Sequence, residues 1–327
     1  MIAVVHVDDF AVASTSEEMH EELKDTLLSK YTITSNDLND FLGFNISYNK
    51  DGSMTLTMPK LLKATIDEFL SDDVHKPTSP MSDSFNEHDQ DNSPKSDSTS
   101  FLSLLGKLIY LVKCRPDIAY AVARLSCRPA KCTQKDWNAL LRVLAYLRET
   151  ADFGITFSKK DTDMNLLSTI FVYADAAYNT HVDSKSHSGY SISLGGPANG
   201  MFYFRSFKQT NVSLSSTEAE VNAAVEAAKE IIWLRALLAE LGLTQLEPTV
   251  LYADNKSMIT LCTEYSGNHK RVKHYLNRIN FMLENVKTGV IKLEYMPTTE
   301  HKADGLTKAL IGTPFKRATA DLLGNSV

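Results

Sequence analysis

Four acidic side chains in the C-terminal half stand where carboxylates can do metal chemistry. Asp175 closes one apolar run, IFVYADA, and Asp254 closes another, VLYADN. Such runs suit strands, and the ends of parallel neighbouring strands lie about 4.8 Å apart. Open α/β sheets gather their sites at the carboxyl ends of strands. Two acids there repel each other, and a bound divalent cation resolves the repulsion. Glu220, near the start of a long helix, and Asp304, at the start of a short one, can reach the same sheet edge. Four carboxylates make a hard-oxygen site for Mg²⁺, with Mn²⁺ an acceptable substitute. Two ions roughly 3.5–4 Å apart would activate a water and stabilise the leaving oxygen of a phosphodiester, which is hydrolytic nuclease chemistry. The glutamate is ambiguous on spacing alone. Ser215 with Glu218 fits a capping box, and so does Thr217 with Glu220.

The elements that must position these acids alternate in type. Strands are expected near 169–175, 188–194 and 200–205. A long amphipathic helix follows over 217–241, with Val221, Ala224, Val225, Ala228, Ile231, Ile232, Leu238 and Leu241 on its apolar face, and Gly242 ends it. Next come a strand at 249–254, a helix at 256–263, a helix at about 272–286, a strand at 291–296 and a short helix from about Lys302. That order implies a mixed sheet with helices on its faces.

The N-terminal stretch reads differently. IAVVHVDDFAVAS suits a buried β-hairpin whose turn presents Asp8 and Asp9. Ser16 can cap a helix running to about Tyr31. Leu42, Phe44, Ile46 and Tyr48 alternate, as do Met54, Leu56 and Met58, with Asp51-Gly52 between them as a hairpin signal. Pro59 opens a short helix. Residues 72–100 are rich in Ser, Asp, Asn and Pro and are expected to be a flexible acidic linker. From Phe101 to Thr150 three helices are expected. Trp137, Leu140, Leu141, Leu144 and Leu147 form the core stripe of the third, which Thr133 caps.

The 327 residues are 43% hydrophobic and 23% charged, which is ordinary globular composition. The net charge of −6 argues against a nucleic-acid binder only as an average. Residues 1–71 carry five basic and twelve acidic side chains, and 72–100 carry two and seven. Residues 101–150 carry nine basic and three acidic ones, and the remainder is neutral. Lys107, Lys113, Arg115, Arg124, Arg128, Lys131, Lys135, Arg142 and Arg148 thus form either a solvated surface or a phosphate footprint. No apolar run reaches the roughly 18 residues of a membrane span, and no leader pattern opens the chain, so an intracellular protein off the membrane is expected. The four cysteines include no CxxC pair, which argues for free thiols rather than zinc.

Five blocks in order, YADAAY, SLSSTEAEVNAAVEAAKEIIWL, LYADNKSM, HKRVKHYLNRINFMLE and TEHKADGLTK, closely resemble the ribonuclease H domain of copia-type LTR retrotransposon polyproteins. The N-terminal half is similar to the same polyproteins. HVDDFAVAS resembles the reverse-transcriptase hairpin, with His6 in place of the usual tyrosine. FLGFNISYNKDGSMTLTMPKLL resembles the end of the palm and its primer-grip hairpin. SLLGKLIYLVKCRPDIAYAVARLS and the helix after it resemble the connection.

The resemblance implies a ribonuclease H-like five-stranded mixed sheet with flanking helices over 158–327. Before it would come a truncated α+β palm (1–71), the linker (72–100) and a basic helical connection (101–157). It implies that Asp175, Glu220, Asp254 and Asp304 hold two Mg²⁺ ions and cut the RNA strand of RNA–DNA hybrids. Glu220 is preferred over Glu218 because the small residues Ala223 and Ala227 follow it at three and seven positions. Lys270, Arg271, Lys273, His274 and Arg278 are candidate hybrid contacts, and His269 or His274 a candidate general acid. The family's polymerase site needs a third carboxylate from an upstream strand, which the seven residues before Asp8 cannot supply. Asp8 and Asp9 are therefore expected to be remnant carboxylates. Polymerase action would need the rest of the Pol polyprotein or a partner chain. An inert retroelement relic that only binds nucleic acid is the other alternative. A cytoplasmic particle and the nucleus are equally compatible locations.

Overall fold

The computed structural model describes residues 1–71, 75–82, 94–128, 132–158, 169–264 and 275–324. At the N-terminus, β1 (Ile2–His6) and β2 (Asp9–Ala13) form a two-stranded antiparallel ribbon, followed by α1 (Glu17–Leu28) with Ser16 as its cap. The expected hairpin is present but is not buried. Val4, Val5 and Phe10 are exposed, and α1 buries no residue. The physical reason is that the ribbon joins no other sheet among the described residues, so its apolar side chains have little to pack on.

A second layer begins with β3 (Asp40–Phe41), β4 (Phe44–Tyr48) and β5 (Met54–Thr57), with Gly52 at positive φ in the hairpin turn. The fourth strand of this sheet, β6 (Ile155–Phe157), comes from a hundred residues later and pairs with β5. Between them lie α2 (Pro59–Phe69), α3 (Ser98–Leu111), α4 (Ala119–Leu125) and α5 (Gln134–Glu149). A capping box of Thr133 and Asp136 opens α5. The stripe of α5 is core as expected, with Leu140, Leu144 and Leu147 fully buried against Phe101, Leu104 and Leu108.

Three expectations change here. Within the presumed linker, Met81 is buried in this core and α3 already starts at Ser98. The stretch therefore contributes an apolar anchor, and its described parts are not free chain. The helix expected after Arg115 is a 3₁₀ turn (Pro116–Ile118) followed by the short α4. The basic footprint also shrinks. The Arg115 guanidinium is buried and pairs with Asp117 through Nε at 2.9 Å and Nη2 at 2.7 Å, and it also donates to the Thr150 carbonyl. Arg124 is buried too, and Arg128 binds the buried Asp136 at 3.0 Å. These charges sit inside because each finds hydrogen-bonding partners there.

The third unit is a five-stranded mixed sheet in the order β11-β10-β7-β8-β9. Its strands are β7 (Ile170–Ala177), β8 (His187–Leu194), β9 (Tyr203–Lys208), β10 (Thr249–Ala253) and β11 (Ile291–Tyr295). The first three are antiparallel, while β7, β10 and β11 run parallel. Three helices, α6 (Ser216–Glu240), α7 (Lys256–Glu264) and α8 (Leu276–Lys287), cover one face. Ile170, Val172, Ala174 and Ala176 of β7 point into that core. The alternate residue Tyr173 faces Ala119, Ala303, Leu306 and Leu322 on the other side. Leu322 belongs to α9 (Gly312–Leu323). The final helix thus begins at Gly312 and not near Lys302 as expected, where the chain makes only a 3₁₀ turn over Asp304–Leu306. Gly242, at φ +79°, ends α6 in a left-handed cap, as its position implied.

The Arg115–Asp117 pair gives a direct test of this packing. Asp117→Ala leaves a buried guanidinium short of its counter-charge and is expected to cost about 3–5 kcal/mol. Denaturant unfolding of the full chain measures it. Replacing both residues by apolar ones should cost clearly less.

Candidate active site

The parallel pairing of β7 and β10 sets Tyr252 opposite Tyr173. Two residues further, the same register brings Asp254 level with Asp175. Asp175 lies one turn of the pleat before the end of β7, and Asp254 is the first residue past β10. Glu220 comes from the second turn of α6. The ambiguity between the two glutamates resolves at the helix start. Ser215 is the cap and accepts from the Glu218 amide at 3.2 Å, while the Glu218 carboxylate accepts from the Leu214 amide at 2.8 Å. Glu218 is therefore engaged at the helix start, on the amide of the residue before the cap. Thr217 lies inside the helix and caps nothing, so Glu220 is left to face the sheet edge. Ala219, Ala223 and Ala227 are all fully buried, which lets α6 lie close on the strands.

One oxygen each from Asp175, Glu220 and Asp254 lie within 4.8 Å of one another. Asp175 and Glu220 are buried and Asp254 is half-buried. This is the only such group among the described residues. Glu220 Oε2 is buried without a hydrogen-bond partner. The other acids are oriented by hydroxyls. Thr298 donates to Asp254 Oδ2 at 2.6 Å, and Thr307 donates to Asp175 Oδ2.

Asp304 does not join the three. It opens a 3₁₀ turn (Asp304–Leu306), and its carboxylate contacts the Lys308 ammonium. Lys308 Nζ also lies 3.7 Å from Asp175 Oδ2, so one ammonium stands between the two aspartates. Lys308, Thr307 and Thr298 escaped the sequence reading. A lysine four residues after Asp304 was the one available signal.

The electrostatics follow from the burial. Desolvation pushes the Asp175 carboxyl above its ordinary pKa, although Lys308 pulls against it. Glu220 is pushed up further, first by burial and then by the charges of Asp175 and Asp254. Burial works against the Lys308 ammonium, but Asp175 and Asp304 outweigh it and hold its pKa above the usual value. An all-oxygen donor set with one unpartnered carboxylate oxygen fits a hard divalent cation.

The remaining candidates fall elsewhere. Asp8 sits in the turn of the exposed ribbon and Asp9 opens β2, opposite His6. Among the described residues no third carboxylate joins them. Lys270, Arg271, Lys273, His269 and His274 lie outside the described residues. Arg278 is on α8, and its guanidinium donates to Asn222 Oδ1, two residues after Glu220.

No family model matches the sequence. Curated relatives do. The retrovirus-related Pol polyprotein from transposon RE2 of Arabidopsis thaliana is 32% identical over 96% of this chain and 21% of its own length. The Pol polyprotein from transposon TNT 1-94 of Nicotiana tabacum is 36% identical over 66% of this chain and 16% of its own. The chain thus spans about a fifth or less of the length of these two relatives. Among solved structures, the foamy viral protease-reverse transcriptase in complex with RNA/DNA hybrid is 16% identical, with a TM-score of 0.49. That match covers 90% of this chain and 36% of the solved one.

The raised carboxyl pKa values predict an inverted pH response of the metal-free protein. A carboxyl whose folded pKa lies above its unfolded one binds its proton more tightly when folded. Stability then falls as pH rises from the ordinary carboxylate range through the raised value. Glu220→Gln is expected to raise the melting temperature at pH 8 with chelator present by about 2–4 °C. Near pH 4 the difference should vanish. Thermal melts across that range decide the matter.

Proposed function

We propose, from the premise that this chain belongs to the retrovirus-related Pol polyproteins of transposons, that its C-terminal sheet is a metal-dependent ribonuclease acting on RNA–DNA hybrids. The observation that carries this reading is the buried group of Asp175, Glu220 and Asp254, with the unpartnered oxygen of Glu220. The hybrid as substrate, and Mg²⁺ as the preferred cation, come from the copia-type sequence resemblance. We assign the activity to residues 158–327.

Asp175, Glu220 and Asp254 would hold the ions, and Asp304 would join them on the Lys308 side. When bound, divalent cations would supply the Lewis acidity that cutting a phosphodiester requires. The chain itself prepares the place. Thr307 and Thr298 fix the rotamers of Asp175 and Asp254 before any ion arrives. Burial of Asp175 and Glu220 keeps bulk water from screening them. Lys308 offsets part of the accumulated negative charge and lies where an anionic backbone would approach. Arg278, next to Asn222, adds a second cation close to the start of α6.

The test is a labelled RNA–DNA duplex offered to the full chain with Mg²⁺, beside single-stranded RNA and double-stranded DNA. Cleavage of the RNA strand of the hybrid alone is expected. Asp254→Asn should lower the rate by more than about a hundredfold, the scale of losing one preorganised electrostatic group. An intact hybrid with both Mg²⁺ and Mn²⁺ would overturn the proposal.

A further inference from the structure

A buried file of polar groups outside the acidic group leads from the helical segment into the turn that bears Asp304. His181, 8% exposed, follows β7, and His187, fully buried, opens β8. Their rings stack with centroids 5.3 Å apart. His181 Nε2 lies 3.1 Å from His187 Nδ1, and His187 Nε2 lies 2.8 Å from Ser206 Oγ. Ser206 Oγ in turn lies 2.7 Å from the Leu306 carbonyl oxygen.

The protons in this file have one arrangement. A carbonyl cannot donate, so Ser206 spends its single proton on Leu306. Ser206 must then accept from His187, which places the His187 proton on Nε2 and leaves Nδ1 bare. That bare nitrogen accepts from His181 Nε2–H. His187 is thus the neutral Nε2–H tautomer, since a second proton on it would face the His181 N–H directly. His181 carries its proton on Nε2, and burial, with Arg124 and Lys208 nearby, pushes its pKa down to about 3, so it is neutral too. Burial first, and then His181 and Arg124, push the His187 pKa well below its usual value, in keeping with this.

Both ends of the file are anchored. On the helical side, the Tyr120 ring meets His187 edge-on at 4.9 Å, and Arg124 Nη1 donates to the Thr180 carbonyl at 3.0 Å. At the other end, Asp175, Gly189 and Ser206 form one row across β7, β8 and β9. The turn lies over the glycine in the middle of that row. A Cβ on Gly189 would come within 2.7 Å of Leu306 Cβ and 2.9 Å of Thr307 Cγ2. The turn is thus tied to Ser206 on one side of the gap, through Leu306, and to Asp175 on the other, through Thr307.

We infer that His181, His187 and Ser206 are positioning residues: they fix the Asp304–Lys308 turn against Asp175, and so let the helical segment at Tyr120 and Arg124 set the geometry of the acidic site. The functional part of this rests on the ribonuclease reading above. The positioning itself does not need it.

The experiment uses the full chain in three forms: wild type, Ser206→Ala and Ser206→Thr. Imidazole ¹⁵N spectra should show both histidines as Nε2–H tautomers that do not titrate between pH 5 and 8. An Nδ1–H tautomer, or titration in that range, overturns the proton arrangement and with it the proposal. Ser206→Ala should speed amide exchange at Leu306, Thr307 and Lys308 about fivefold, the scale of one net hydrogen bond, and Ser206→Thr should restore it. On hybrid, Ser206→Ala should lower kcat about tenfold with KM unchanged, as expected for misplaced site geometry rather than lost binding. Unchanged exchange in Ser206→Ala overturns the proposal. A wild type that never cuts hybrid sinks the ribonuclease reading instead, while the spectra and the exchange still decide the positioning. His187→Gln, which keeps a donor toward Ser206, guards against a folding defect peculiar to Ser206. It should preserve the protection that His187→Leu loses, and equal loss in both would contradict the file.

Discussion

Three carboxylates whose oxygens lie within 4.8 Å, two of them buried, are a standing cost to this fold. Burial raises the pKa of Asp175 and Glu220, and the neighbouring carboxylate charges add to it. Much of the C-terminal architecture can be understood as what holds that arrangement together. The parallel pairing of β7 and β10 fixes the spacing of two aspartates. The cap at Ser215 fixes where α6 begins, and therefore where Glu220 points. Threonine hydroxyls satisfy one oxygen on each aspartate, and a lysine shared by Asp175 and Asp304 supplies the nearest positive charge.

The parts of this that were legible in the sequence are the local ones. Asp175 and Asp254 were visible because each ends an apolar run, and α6 because its small and apolar residues repeat at helical spacing. Gly242 marked its end. The choice between Glu218 and Glu220 was not legible from capping alone, since Ser215 and Thr217 both fit the pattern. It was settled by a helix start two residues before Thr217's own box would have placed it. What stayed hidden depends on contacts far apart in the chain. The three residues of β6 carry too little pattern to announce a strand, and they gain their identity only by pairing with β5. Lys308 looked like any helix-start neighbour of Asp304 until the fold set it beside Asp175.

Charge shows the same limit. The basic excess between residues 101 and 150 is real in the sequence, but its distribution inward is not visible there. Arg115 and Arg124 are core residues, and Arg128 holds the buried Asp136. These three cations thus serve the scaffold, and Tyr120 and Arg124 place the segment against the sheet. Conversely, the N-terminal ribbon has the apolar alternation of a buried hairpin and yet stays exposed. Alternation reports what a strand could bury, and a partner surface decides whether it does.

The central claim is that the carboxylate group exists to hold divalent cations. Calorimetric titration of the chelator-treated full chain with Mg²⁺, and with Mn²⁺, addresses it without depending on any substrate. Saturable binding is expected, and Glu220→Gln should weaken it by more than about tenfold. Binding of equal strength in wild type and Glu220→Gln, or none at millimolar cation, would contradict the account.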